Sequence, residues 1–230
     1  MTLTLPFAAL KTEVVLQGSA SRQLRESISW NRKESEWRVP RKKKKGAGAG
    51  TASDGTSRVW TVGHSTRSAV EFNEVLAAHE IEAVVDVRSF PGSRRYPQFN
   101  KQQLANSVEA HDIAYFHLPQ LGGRRQTRKD SRNTAWKNQS FRGYADHMET
   151  EEFQQGIERL LEIAGGKRAA LMCAEALWWR CHRSLISDSL KARGVEVIHI
   201  IDATHEQPHP FTSAARVIDG ELSYAGLLAG

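Results

Sequence analysis

The stretch Leu171-Met172-Cys173-Ala174-Glu175-Ala176-Leu177-Trp178-Trp179-Arg180-Cys181-His182-Arg183 decides how the rest of the chain is read. It follows a short apolar run, Ala169 to Met172, and precedes an amphipathic one, Ser184 to Ala192, so it reads as the turn from a buried strand into a helix. In an open α/β sheet that turn is where ligands bind, because loops at the carboxyl ends of the strands meet in one crevice. The stretch also holds both cysteines of the chain, two adjacent tryptophans, one carboxylate, a histidine and two arginines.

The same alternation continues outward in both directions. Toward the carboxyl end, Arg183 to Arg193 is helical and stops at Gly194, and Val195 to Ile201 is a long apolar strand. A polar tail follows, with a small hairpin expected around Asp219-Gly220. Toward the amino end, residues 141 to 164 give a helical pattern closed by Gly165-Gly166. A long irregular segment, Pro119 to Ser140, precedes it, and its length suits a functional or mobile loop. Further back come a strand over Ile113 to Leu118, a helix capped by Asn100 with Gln103 at the capping-box position, and a strand over Ile81 to Val87. The first strand is Val59-Trp60-Thr61-Val62, followed by a helix capped by Ser68. Five apolar strands alternating with helices predict a mostly parallel sheet covered on both faces, in a single domain over residues 58–230.

Charge separates this domain from what precedes it. Residues 1–57 carry eleven Lys/Arg against five Asp/Glu, whereas residues 58–230 carry twenty-one of each. With Arg41-Lys42-Lys43-Lys44-Lys45 followed by alternating Gly and Ala, the first 57 residues read as a disordered basic extension. It is either a solvated linker, or the product of a start codon placed too far upstream, or a polybasic arm adding salt-sensitive affinity for nucleic acid. Two cysteines and no secretory apolar region point to a reducing compartment. No apolar run approaches the roughly 20 residues that span a bilayer, so no membrane partner is expected.

If the strands are parallel, residues just past each apolar run share one edge. These are His64 and Ser65 after the first strand, Asp86 and Arg88 after the second, His117 at the third, and Cys173 and Glu175 after the fourth. No glycine-rich dinucleotide or P-loop fingerprint follows the first strand, so ordinary NAD or ATP binding is unsupported and the cofactor stays unassigned. Gly122-Gly123-Arg124-Arg125 offers backbone amides and guanidinium forks to a phosphate. Residues 124–142 hold seven basic side chains and one acidic.

Three chemistries compete for the opening stretch. A thiol at Cys181 near a helix amino end, beside Arg180, His182 and Arg183, would have a lowered pKa, although its phase with Leu185 equally suits packing. A tyrosine-phosphatase loop is rejected, since six residues rather than five separate Cys173 from Arg180. A metal site drawing on Cys173, Glu175, Cys181 and His182 is disfavoured, because seven residues between the cysteines match no common zinc spacing, and no metal ligand is assigned. The third is a polar site without metal, in which carboxylates and histidine move protons and arginines hold an anion. Trp178 or Trp179 would stack on a base, or pack in the core.

Taken together, Val62-Gly63-His64-Ser65, Asp86-Val87-Arg88-Ser89-Phe90-Pro91, His117-Leu118-Pro119 with Leu121-Gly122-Gly123, Phe141-Arg142-Gly143-Tyr144, and Cys173-Ala174-Glu175 with Cys181-His182-Arg183 resemble the family known as domain of unknown function 488. The resemblance covers about Arg58 to Ile201. It implies an α/β, Rossmann-like three-layer sandwich with a mostly parallel five-stranded sheet, of bacterial type and cytoplasmic. It adds weight to the Cys-Ala-Glu and Cys-His-Arg blocks as site residues and supplies no reaction. The expectation is therefore an enzyme acting on a phosphate-bearing substrate, nucleic acid or nucleotide. His64, Asp86, Cys173 and Glu175 are its candidate catalytic residues. Ser65, Arg88, His117, Gly122, Gly123, Arg124, Cys181, His182 and Arg183 are its candidate substrate-binding residues. A non-catalytic nucleic-acid binder and a cysteine-dependent redox or metal protein are the alternatives.

Overall fold

A computed structural model describes residues 57–226, so the basic extension lies outside the described residues except for Ser57. Along the chain run β1 (Arg58–Gly63), α1 (Ala69–Ala78), β2 (Ala83–Asp86), α2 (Lys101–Glu109), β3 (Ala114–His117), α3 (Gln139–Met148), α4 (Glu151–Gly166), β4 (Ala169–Cys173), α5 (Arg183–Ala192) and β5 (Glu196–Ile200). Three short strands follow: β6 (Glu206–Pro208), β7 (Arg216–Ile218) and β8 (Glu221–Ser223). The sheet order is β3-β2-β4-β1-β5-β6; the first five strands are mutually parallel and β6 runs antiparallel to β5.

The expected five strands are therefore joined by a sixth. Its residues are exposed, polar and end in Pro208, so no apolar run marks it. Proline is tolerated there because the strand lies at the sheet edge. The tail hairpin forms as β7 and β8 around Asp219-Gly220. Ser68 caps α1 with a full capping box to Glu71. Asn100 does not cap α2 through its side chain, because its Oδ1 accepts from the Ser93 backbone N–H at 2.6 Å and ties down the preceding loop. The helical pattern over 141–164 divides into α3 and α4, since Thr150 starts a new helix by accepting from the Phe153 N–H.

The strand order explains which face each helix covers. From β1 the chain moves outward through β2 to β3, then returns to β4 and on to β5. Right-handed crossovers put helices on one face while the chain moves one way and on the other when it reverses. Phe72 and Leu76 of α1 and Leu104 and Val108 of α2 accordingly pack against one face, with Val62, Val84 and Met172. Tyr144, Phe153, Leu160, Leu185 and Leu190 from α3, α4 and α5 cover the other, with Val85, Leu171 and Val197. β2 and β4 are buried along their whole length, as strands covered on both faces should be.

The tail is held to the core by one buried carboxylate. Asp188 in α5 is fully buried and accepts from His209 Nε2 at 3.0 Å, from the Thr212 N–H at 2.9 Å and hydroxyl at 2.6 Å, and from the Tyr224 hydroxyl at 2.8 Å. His209 Nδ1 lies 2.9 Å from His199 Nε2, and His199 Nδ1 lies 2.7 Å from Thr61 Oγ1, which completes a chain into β1. Burial and then the nearby His209 hold His199 far below the ordinary imidazole range. Trp178 stacks on the His199 ring at 4.2 Å and closes the network. Asp188→Ala leaves several buried donors unpaired and is expected to lower unfolding stability by about 3 kcal/mol; a urea titration with a change below about 1 kcal/mol would contradict this account.

Candidate functional site

β1, β2 and β4 end side by side, and the connections from β1 and β4 leave on opposite faces of the sheet. Such a reversal opens a crevice at the carboxyl edge. A cleft of about 1010 Å³ lies there. A smaller hollow of about 260 Å³ near α4 and the tail hairpin carries none of the strand-end residues.

Each strand contributes to the cleft through its following loop. From β1 come His64 and Ser65, with backbone N–H groups donating to the carbonyls of Cys173 and Ala174 at 3.0 and 2.9 Å, so the first and fourth loops are stitched together. Gly63 permits this approach: a Cβ there would stand 1.9 Å from the Glu175 carbonyl oxygen. From β2 come Arg88 and the exposed Phe90 and Arg95. The segment after β3 supplies Gly123 and Arg124, and β4 and the turn beyond it supply Cys173, Glu175, Arg180, Cys181 and His182. The start of α3 adds Asn138, Ser140, Phe141 and Tyr144.

Arg88 is the most constrained side chain in this wall. The Asp86 carboxylate, fully buried, accepts from Arg88 Nε at 2.9 Å and from Nη2 at 2.6 Å, a bidentate pair, and also from the Arg88 backbone N–H at 3.0 Å. The Tyr115 hydroxyl donates to the same carboxylate at 2.7 Å. Burial and then the Asp86 charge raise the Tyr115 pKa well above its usual range, so it remains a donor. On the other side, Arg88 Nη1 lies 3.3 Å from His64 Nε2. Burial and the Arg88 charge lower His64 to about 4. The neutral ring donates from Nδ1 to the Ser65 carbonyl at 2.9 Å and therefore accepts at Nε2. Phe99 stacks on it at 4.1 Å.

Four sequence candidates accordingly stand behind the wall. Asp86 faces Arg88 and Tyr115. His117, half-buried, donates from Nε2 to the Arg88 carbonyl at 2.9 Å. Gly122 is buried against Ser89, and Arg183, 1% exposed, donates to the Glu175 and Ala176 carbonyls at 2.5 and 3.3 Å, holding the loop that carries Glu175. Glu175 itself is exposed and is the one carboxylate among the described cleft residues. Trp178 is core and Trp179 is half exposed; neither lines the cleft.

The two thiols differ. Burial pushes the Cys181 thiol up, but the adjacent Cys173 thiol, the Arg183 guanidinium and the Arg183 backbone N–H outweigh it and bring Cys181 down to about 6. The Cys181 sulfur and then burial hold Cys173 well above the ordinary thiol range. Burial, more than any charge, lowers His182.

The basic loop after β3 enters the cleft less than its composition suggests. Arg124 lines it, whereas Arg125 pairs with Glu152 at 3.4 Å and Arg128 pairs with Glu149. Two positions with φ in the left-handed region, Ser65 at 52° and Arg124 at 62°, both lie in the wall. Backbone strain at non-glycine residues concentrates at functional sites. Phe141 and Tyr144 stand in one of the blocks that carry the family resemblance but, with the cap at Asn138, are not among the candidate site residues, because they look like ordinary helix residues; only the fold turns that helix end toward the crevice.

The profile of the family described as "Domain of unknown function DUF488" matches residues 68–190. The chain belongs to this family. The match runs from the cap of α1 through most of α5 and takes in the loops after β2, β3 and β4, so most of the cleft wall is DUF488 sequence. No curated protein and no solved structure is similar enough to match, and the family description assigns no reaction to the DUF488 chain.

Asp86→Ala strands the buried Arg88 charge and is expected to cost about 3–5 kcal/mol of stability. Tyr115→Phe removes one hydrogen bond to a charged acceptor and is expected to cost about 2 kcal/mol. Denaturant titration orders the two, and equal losses would contradict the buried-pair account.

Proposed function

We propose that this DUF488 chain is an enzyme acting on a phosphate-bearing substrate, a nucleotide or the end of a nucleic-acid strand. The observation that carries the reading is Arg88, held rigid by Asp86 and His64 in the wall of a cleft that also receives Arg95, Arg124 and Arg180. Arg95, Arg124 and Arg180 against the one cleft carboxylate, with Arg88 already paired to Asp86, suit a polyanion, and a pre-oriented guanidinium gives up little freedom when it binds phosphate. The cleft volume is of the size that takes a small ligand, which favours a nucleotide or one or two residues of a strand over a long duplex. Phe90, 78% exposed, with Tyr96 and Phe141 nearby in the wall, offers faces on which a base can stack. In this reading Glu175, the exposed carboxylate of the cleft, acts as acid or base, while Asp86 and His64 serve as positioning residues for Arg88.

The layer order and the ligand crevice at a strand-order reversal support a Rossmann-like class for the domain. Two free cysteines accord with a reducing compartment, the cytoplasm.

The test is a binding series with nucleoside mono- and triphosphates and a short single-stranded oligonucleotide, each across a range of salt. Arg124→Ala and Arg95→Ala, both at exposed positions, are expected to weaken binding at least about tenfold and to flatten the salt dependence. Unchanged affinity in both variants overturns the phosphate reading. For a bound substrate that is turned over, Glu175→Gln is expected to abolish turnover while sparing affinity; unchanged turnover would overturn Glu175 as acid or base, and no turnover of any bound ligand would leave a binder rather than an enzyme.

A further inference from the structure

One cluster in the cleft wall is not used by the phosphate reading. Cys173 ends β4, and Cys181 and His182 immediately precede α5; two sulfurs and a ring nitrogen from these residues all lie within 4.8 Å of one another. Cys181 Sγ stands 3.5 Å from His182 Nδ1. A tetrahedral Zn²⁺ holds sulfur at about 2.3 Å and imidazole nitrogen at about 2.0–2.1 Å, which places those two ligand atoms about 3.5 Å apart. The pair is thus already at ligand separation.

The surroundings of the ring fit the same role. Gly123 leaves room beside Nδ1, where a Cβ would stand 2.9 Å from it. His182 Nε2 is buried and has no hydrogen-bond partner among the described residues.

Two thiols and an imidazole suit a borderline or soft cation, whereas Mg²⁺ and Ca²⁺ require oxygen ligands. Structural zinc sites close with four protein ligands, and sites with three keep a position for water or substrate. All three residues here line the cleft. We propose that Cys173, Cys181 and His182 form a three-ligand site for Zn²⁺ or a similar borderline divalent cation, with its fourth position open to the cleft. The ion would face any phosphate held by Arg88 and Arg124; that last step rests on the phosphate reading, and the metal site itself does not. The spacing rule that disfavoured zinc from sequence applies to ligands on one local loop. Here one ligand comes from a strand end and two from a helix entry.

The full chain, reduced, stripped with a chelator and kept free of oxygen, is titrated with Co²⁺ alone. The chain has only two cysteines, so a thiolate-to-cobalt charge-transfer band reports on this site and no other. The expected result is one equivalent of Co²⁺ bound with that band and with tetrahedral visible absorption, both lost on adding Zn²⁺. Cys173→Ser and Cys181→Ser each weaken the band, and His182→Asn weakens binding, in proteins whose metal-free circular dichroism matches the parent. No thiolate band in the parent chain while both thiols titrate as free groups overturns the proposal without recourse to any variant. A band and affinity unchanged by His182→Asn overturn the three-ligand assignment. Arg124→Ala keeps the band, so failure of the phosphate reading and failure of the metal site remain separate results.

Discussion

A buried carboxylate cannot stand alone, and the pairing of Asp86 with Arg88 sets much of what surrounds it. Asp86 is the last residue of a strand buried on both faces, so its charge must be met within the protein. The partner is two residues on, where the chain leaves the sheet, and the bidentate pair turns Arg88 back over the strand end. Tyr115 from β3 satisfies a further lone pair, His64 from β1 receives the remaining guanidinium edge, and His117 holds the Arg88 carbonyl. Three strand ends are thereby tied to one cation. A buried pair is poor evidence of net stability, since desolvation opposes the attraction. Its use here is better understood as positional: it fixes a guanidinium in the wall of a cleft.

The cleft itself follows from topology. Because β4 is inserted between β2 and β1, the loops after β1 and β4 are neighbours yet lead to helices on opposite faces. The gap between them is closed at its base by backbone hydrogen bonds from His64 and Ser65 to the Cys173 and Ala174 carbonyls, and Gly63 is the residue that allows that approach. Arg183 braces the β4 loop from below. The wall is therefore rigid on the β1, β2 and β4 sides. Toward solvent it is made of exposed arginines and aromatic rings that are free to meet a ligand.

Two chemistries share this wall. Arginines and Glu175 are suited to an anionic substrate, and the Cys173, Cys181 and His182 cluster offers softer donors within the same cleft. Arg88, Arg95 and Arg124 approach from the loops after β2 and β3, and the thiols from β4 and the entry to α5, with Arg180 beside them.

The alternating pattern by itself determined the α/β class, the five parallel strands, the capping of α1 by Ser68 and the tail hairpin, because each rests on apolar periodicity or turn chemistry within a few residues. It also placed His64, Arg88, Cys173 and Glu175 at strand ends, since a polar residue after an apolar run is a local signal. It did not give β6, which has no apolar run, nor the break before Thr150, which interrupts a pattern that otherwise reads through. Only the tertiary structure decided that β4 lies between β1 and β2, because strand order depends on pairings remote in sequence. From that order follows the placing of the α3 start at the crevice, while the pairing of Asp86 with Arg88, two residues apart, and the meeting of Cys173 with Cys181 and His182 are set by how the chain folds back after β2 and β4. Charge, burial and ligand geometry act through space over a few ångströms, and the chain brings those atoms together only when the sheet has formed.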